Sequence, residues 1–178
     1  MDKQDELVRD IALLPDLAEA HYDEWDVMRH MLQFYDELDD ARLDAFIDEI
    51  AAPIVAAIDC KQCANCCRTL PVEVRLEDAQ RLAAALHMSL EDFVARYLGP
   101  HPDGDAWLMR PEPCPFLQSD NLCRVYAHRP EGCQYYPAIT PEFRWLLDDL
   151  IKSAGMCPIA YNVLCAVEGH ADDLVKNL

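Results

Sequence analysis

The chain has 178 residues, 33 acidic against 15 basic side chains for a formal net charge of −18, nine cysteines and five glycines. Its length fits one domain, and 52% hydrophobic residues can build a core without disulfides to rescue an undersized fold. The acidic balance argues against nucleic-acid and membrane-surface binding, because both need clustered Lys or Arg to neutralise phosphate or anionic lipid.

The opening residues, MDKQDELVRD, contain no apolar run of signal-peptide type, and no stretch of about eighteen apolar residues occurs anywhere. The sequence therefore reads as a soluble, cytoplasmic protein. In that compartment thiols stay reduced, and clustered cysteines point to metal or catalysis rather than to disulfides.

Residues 1–59 hold 17 acids and 4 bases, whereas the rest of the chain holds 16 acids, 11 bases and all nine cysteines. In this acidic head, apolar residues recur at Trp25, Met28, Leu32 and Tyr35, then at Leu43, Phe46 or Ile47, Ile50, Ile54 and Ile58. Spacings of three and four predict a pair of amphipathic helices. Asp39-Asp40 is placed to cap the second at Ala41, and Pro53 should bend or restart it. The acidic faces read either as a solvated surface or as a docking surface for a basic protein partner. Met28 and Met31 read as core filler rather than as a ligand pair.

Further along, Pro71–Arg75 alternates like a short strand, and Leu76–His87 predicts a helix with Ala79, Leu82, Ala83 and Leu86 on one side. Ser89 with Asp92 forms a capping pattern for a helix through Leu98, ended by Gly99-Pro100. Gly99 to Pro115 is loop-like, with Trp107–Met109 a candidate strand. Thr140-Pro141-Glu142 reads as a helix start with Thr140 as cap, and Cys157-Pro158 repeats the device for a last helix over Ile159 to Lys176.

The cysteines carry the chemistry. Cys60, Cys63, Cys66 and Cys67 form C-x2-C-x2-C-C, followed by Cys114, Cys123, Cys133, Cys157 and Cys165. A two-residue gap lets two sulfurs converge on one ion, as in zinc and iron–sulfur sites. Four crowded thiols without a ligand would be an oxidation hazard with no packing advantage. If Cys66 and Cys67 lie in extended backbone, their side chains point to opposite sides and one segment can serve two centres. The candidate ligands are Cys60, Cys63, Cys66, Cys67, Cys114, Cys123, Cys133 and Cys157, arranged as two four-sulfur sites or as one site with spare ligands. Cys114 lies in a rigid Pro113-Cys114-Pro115 turn, and Cys157 at a helix start whose positive end favours a thiolate. Lys61, Arg68, Arg110, Arg124 and Arg129 lie within five residues of a cysteine and can offset thiolate charge or serve as surface ion pairs.

These residues carry a resemblance. Cys60-Lys-Gln-Cys63-Ala-Asn-Cys66-Cys67-Arg68, Cys114-Pro115-Phe116-Leu117, Cys123-Arg-Val-Tyr126, Arg129-Pro130-x-x-Cys133-x-Tyr135-Tyr136-Pro137 and Cys157-Pro158 together resemble the YkgJ-type cysteine-cluster proteins. That family is described as a zinc- or iron-chelating domain, and flagellin lysine N-methylase contains a similar cluster. The resemblance runs from residue 60 to about 158 and matches all eight cysteines. It departs at Ala64-Asn65, where family members often carry a glycine. Cys165 falls outside it and reads as a helix-buried cysteine.

All-sulfur ligation excludes magnesium and calcium and leaves zinc, iron–sulfur and copper(I). The six histidines show no pair at ligand spacing, and only His128, between Cys123 and Cys133, is placed to join. The C-x2-C-x2-C element and the Cys-Pro pairs are also ferredoxin elements, which tilts the reading toward an iron–sulfur cluster over Zn2+. No G-x-G, G-x-S-x-G or H-E-x-x-H occurs, which disfavours nucleotide-dependent enzymes, serine hydrolases and zinc proteases of those types. A metal-binding module, structural or metal-handling, and a redox or methyltransferase-type enzyme with a functional cluster are the two readings.

The expected fold is mainly α: a small helical domain with an irregular cysteine-rich metal centre and at most a short β-hairpin or three-stranded piece. Along the chain, 1–59 is an acidic amphipathic helical segment, 60–158 a cysteine-cluster metal-binding region and 159–178 a C-terminal helix, in one domain.

Overall fold

The computed structural model describes residues 7–35, 37–102, 104 and 106–170. In chain order its elements are α1 (Leu14–Ala20), α2 (Tyr22–Phe34), α3 (Asp40–Ala57), α4 (Cys60–Cys63), α5 (Cys66–Thr69), β1 (Glu73–Val74), α6 (Leu76–Ala85) and α7 (Leu90–Tyr97). Then come β2 (Leu98–Pro100), β3 (Trp107–Met109), a 3-10 turn (Tyr126–His128), α8 (Glu131–Gln134), α9 (Phe143–Ala154) and α10 (Pro158–Gly169). The protein is mainly α with one short three-stranded antiparallel sheet. No helix among the described residues is long and apolar enough to cross a membrane.

The chain divides into two units. One, the helical unit, joins the segment up to Asp59 to the segment from Pro137 onward; the other, the cysteine unit, is Cys60–Tyr136.

In the helical unit α10 is the central element. Its residues Ile159, Ala160, Tyr161, Val163, Leu164 and Val167 are all buried, and it packs on α9, α3 and α2. The helix is apolar nearly all round because neighbours surround it. Its one buried amide, Asn162, is satisfied: Nδ2 donates to Val8 O and Pro158 O at 2.8 and 2.6 Å, and Oδ1 accepts from Val8 N at 3.0 Å. Trp25, Met28 and Leu32 of α2 and Leu43, Ile47, Ala51 and Ile54 of α3 bury the predicted faces. Asp39 caps α3, accepting from Ala41 N and Arg42 N at 3.0 and 3.1 Å.

Three expectations are corrected here. Of the bend or restart expected at Pro53, the restart does not occur: helix α3 runs through it, and Pro53 lies on the exposed side, where water can serve the carbonyl that loses its N–H partner. Met31 is 48% exposed, so it is not core filler, whereas Met28 is. Helix α9 begins at Phe143 without Thr140 as cap. Asp44 of α3 caps it instead, accepting from Glu142 N at 2.7 Å and Phe143 N at 2.9 Å. Glu142 reaches this position in the left-handed region, at φ 71°. The last helix starts at Cys157-Pro158 as predicted, with Cys157 as N-cap; the part expected beyond 170 lies outside the described residues.

In the cysteine unit the sheet order is β1-β3-β2, with Glu73 opposite Leu108 and Gly99 opposite Leu108 on the other side. The sheet and α6 and α7 enclose Val74, Ala79, Leu82, Phe93, Tyr97, Leu98, Met109 and Phe116. Phe93, Tyr97 and Phe116 meet ring to ring at centroid distances of 5.1 to 6.4 Å. Ser89 caps α7, accepting from Asp92 N at 3.1 Å. The helix ends at Tyr97, one residue short of the predicted Leu98, and Leu98–Pro100 pairs as a strand rather than closing the helix and opening a loop. A Cβ on Gly99 would displace the Arg110 guanidinium, which donates to Leu98 O at 2.8 Å.

Candidate metal centre

The run C-x2-C-x2-C-C folds as two single helical turns, α4 and α5, joined by Ala64 and Asn65. Ala64 is buried and left-handed, at φ 49°, a conformation that glycine adopts without a Cβ clash. The helical turn corrects the premise of an extended Cys66-Cys67. Successive side chains on a helix diverge by about 100° rather than alternating across a strand. The Cys66 side chain in fact hydrogen-bonds to that of Cys67.

A second layer brings in the later cysteines. Cys114 N donates to Cys67 O at 2.9 Å, so the Pro113-Cys114-Pro115 turn is tied directly to α5. From Phe116 to Arg124 the chain doubles back: Leu117 and Cys123 form an antiparallel bridge, and Arg124 N donates to Phe116 O at 2.9 Å. Asn121 sits at the tip with φ 67°. Its Nδ2 donates to Gln62 O at 2.9 Å, and its Oδ1 accepts from Arg68, whose Nη1 donates to Cys63 O at 2.9 Å. One asparagine and one arginine thus hold the α4 turn to the hairpin. Cys114 and Cys123 pack against the apolar core of the unit.

Cys133 is placed by a third device. Asp78 of α6, a buried carboxylate, accepts from Arg81 and from Glu131 N at 3.2 Å, the latter at the start of the α8 turn that carries Cys133. Arg81 also donates to Arg129 O at 2.9 Å, and the Arg129 guanidinium lies 3.7 Å from the centroid of Tyr126.

The electrostatics show which thiols are neighbours. The hydrogen bond from Cys66 lowers Cys67 to about 6 against the opposing effect of burial, with help from Arg68 and Arg129. Burial pushes Cys133 up to about 12, and charge on Cys67, Cys114 and Cys123 adds to the rise. Burial likewise raises Cys114 and Cys123, against backbone hydrogen bonds from Phe116 and Val125. Cys67, Cys114, Cys123 and Cys133 are therefore one electrostatic group. The side chains seen to act on it are Cys66, Arg68, Arg124 and Arg129.

Among the described residues no group of three or more His, Cys, Asp or Glu side chains stands in metal-holding geometry. Cys60 and Cys63 bound the α4 turn, Cys60 exposed and Cys63 half-buried. Cys157 belongs to the helical unit, where it is buried at the N-cap of α10. Cys165, also in that unit, is half-buried and hydrogen-bonds to Tyr161. His128 is exposed on the 3-10 turn. None of the nine cysteines is in a disulfide. As a donor set, four sulfurs without oxygen or nitrogen fit a soft or borderline ion.

Sequence reasoning missed Asn121, Asp78 and Arg81 as organisers of the cysteine unit. An isolated Asn in Asp-Asn-Leu signals a left-handed turn, but nothing local says which carbonyls its amide reaches. Arg110, grouped with the cysteine-flanking cations, is instead engaged with Leu98 O.

Residues 59–158 match the family model CxxCxxCC, described as a "Putative zinc- or iron-chelating domain". Comparisons with curated proteins and with solved structures find no match. The family match covers more than half of the 178 residues and takes in all eight cysteines of the pattern. The chain belongs to the CxxCxxCC family of zinc- or iron-chelating domains.

Proposed function

We propose that the protein is a metal-binding module in which Cys67, Cys114, Cys123 and Cys133 hold one thiolate-bound zinc or iron centre. The observation that carries the reading is that Cys114 N donates to Cys67 O and that charge on Cys67, Cys114 and Cys123 acts on Cys133, although the four come from α5, the Pro-Cys-Pro turn, the hairpin and α8. Cys60, Cys63 and Cys66 are the further candidate donors of the cysteine unit, in a second centre or as exchangeable ligands, and Cys157 is a candidate donor in the helical unit. The C-x2-C-x2-C and Cys-Pro elements favour an iron–sulfur cluster, with Zn2+ as the other occupant.

A bound cation supplies the charge that lets several buried thiols ionise together, and ligation then links segments that are distant in sequence. The protein's own contribution is placement. Asn121 and Arg68 orient α4, the Cys114–Cys67 backbone bond fixes the proline turn, and Asp78 holds the start of α8. A saturated four-sulfur zinc site has no open position for a substrate, so with zinc the role is structural or metal-handling.

Anaerobic purification with an absorption spectrum and a metal-to-protein ratio tests the proposal. Stoichiometric zinc in a colourless protein, or iron with sulfide in a brown one, supports it, and the second result also opens redox chemistry. Protein that is folded, reduced and free of metal, and that takes up neither zinc nor iron on reconstitution, overturns it.

A further inference from the structure

Helix α2 has two apolar faces, and only one is used by the core. Trp25, Met28 and Leu32 are buried, whereas Val27, Met31 and Phe34 are 62, 48 and 77% exposed. The second set is spaced i, i+4, i+7, so it forms a continuous stripe rather than scattered surface residues. That spacing is how one amphipathic helix meets another. An exposed Phe flanked by Met and Val one turn apart is costly in water, and the one ring that Phe34 meets is that of His30 on the same helix, 6.1 Å away between centroids.

The charge around the stripe identifies what fits it. Asp23 and Glu24, four and three residues before Val27, are exposed on the same side, and Glu37 is exposed beyond Phe34. The nearby Arg29 is already engaged, with Asp26 at 2.6 Å and Asp148 at 3.4 Å. Within residues 1–59, 17 acids face 4 bases. A second copy of a chain with net charge −18 would bring the same field against itself, and an anionic lipid surface would be repelled likewise.

We infer that Val27, Met31 and Phe34 of α2 form the docking surface for a basic amphipathic helix of a partner protein. Its apolar residues seat on the stripe, and its Lys or Arg residues face Asp23, Glu24 and Glu37. The inference concerns the helical unit alone and does not depend on metal.

The probe is a labelled helical peptide of about fourteen Leu and Lys residues, with leucines at i, i+4 and i+7, titrated against the metal-loaded full chain by fluorescence anisotropy. Saturable binding that weakens with salt is expected. Replacing Met31 and Phe34 together by Ala should weaken it by about tenfold or more, and so should Asp23→Lys with Glu24→Lys, whereas Trp145→Ala, at an exposed aromatic on α9, should not. Circular dichroism and metal content should be equal across the variants, which separates this test from that of the metal centre. Absence of peptide binding overturns the proposal, as does equal binding by the Met31/Phe34 variant. Preference for phosphatidylglycerol vesicles over the peptide, or a dimer that Phe34→Ala dissolves, would assign the stripe to lipid or to self-association and also overturn it.

Discussion

The backbone N–H of Cys114 donates to the carbonyl oxygen of Cys67 at 2.9 Å, joining the two parts of the cysteine pattern through main chain rather than through sulfur. The two cysteines are thereby tied together through the backbone, and charge on Cys67 acts on Cys114, Cys123 and Cys133 alike. Serine at 67, 114, 123 or 133 should therefore lower metal affinity at least about tenfold, since each loses one thiolate from a soft-ion site. Cys165→Ser should leave it unchanged. Competition against a chelating dye, read as metal retained per chain, distinguishes the two groups.

Metal removal should loosen the cysteine unit and spare the helical one. In the first, the cysteines sit on single-turn helices and short turns beside the core of α6 and α7, whereas the second has the continuous apolar packing of α3, α9 and α10. Hydrogen exchange after chelation should show amides in Cys60–Tyr136 exchanging at least about tenfold faster, with little change in α10. Uniform acceleration in both units would contradict this.

Asn121 should matter out of proportion to its exposure. Asn121→Gly keeps the left-handed turn but loses the bond to Gln62 O and the acceptor for Arg68, and it should cost about 1 kcal/mol. Asn121→Val adds backbone strain and should cost about 2 kcal/mol or more. Thermal melts of the metal-loaded variants rank the three proteins.

Ala64 gives a complementary test at the junction of α4 and α5. Its left-handed φ of 49° tolerates glycine, so Ala64→Gly should change stability by less than about 1 kcal/mol. Ala64→Val places a β-branched side chain in that conformation at a buried site and should destabilise by about 2 kcal/mol or more. Denaturant midpoints read the difference.

In the helical unit, Asp44→Ala removes both acceptors at the start of α9 and should cost about 1 to 2 kcal/mol. Thr140→Val, at the residue that the local sequence marks as the cap, should cost less, because Thr140 bonds to Asp48 and not to the helix end. Urea denaturation of the two variants compares the positions directly.

The α9 start also shows where local reading stops. Thr140-Pro141-Glu142 has the chemistry of a helix start, yet the cap arrives from Asp44, far away in sequence. Helices α2 and α3 and strand β3 were legible because several turns, or a bounded alternation, repeat one pattern. Helix α1 is only seven residues long and has one buried side chain, Leu14, too little for a period to register. Strand β2 was hidden by Gly99-Pro100, a helix-stop signal that is equally compatible with a strand at the edge of a sheet. At the cysteines, spacing marked the residues but not their neighbours. The four-residue turns α4 and α5 leave no periodicity, and the grouping of Cys67 with Cys114, Cys123 and Cys133 depends on contacts made by Asn121, Asp78 and the backbone.

The division of the chain also fixes an order of assembly. Cys60–Tyr136 is one uninterrupted stretch, whereas the helical unit is closed by α9 and α10, which lie beyond it. As the polypeptide leaves the ribosome, Trp25, Leu43 and Ile47 must wait for the buried face of α10, while every residue of the cysteine unit has already emerged. Cys67, Cys114, Cys123 and Cys133 are thus all available to an ion before the helical unit can close.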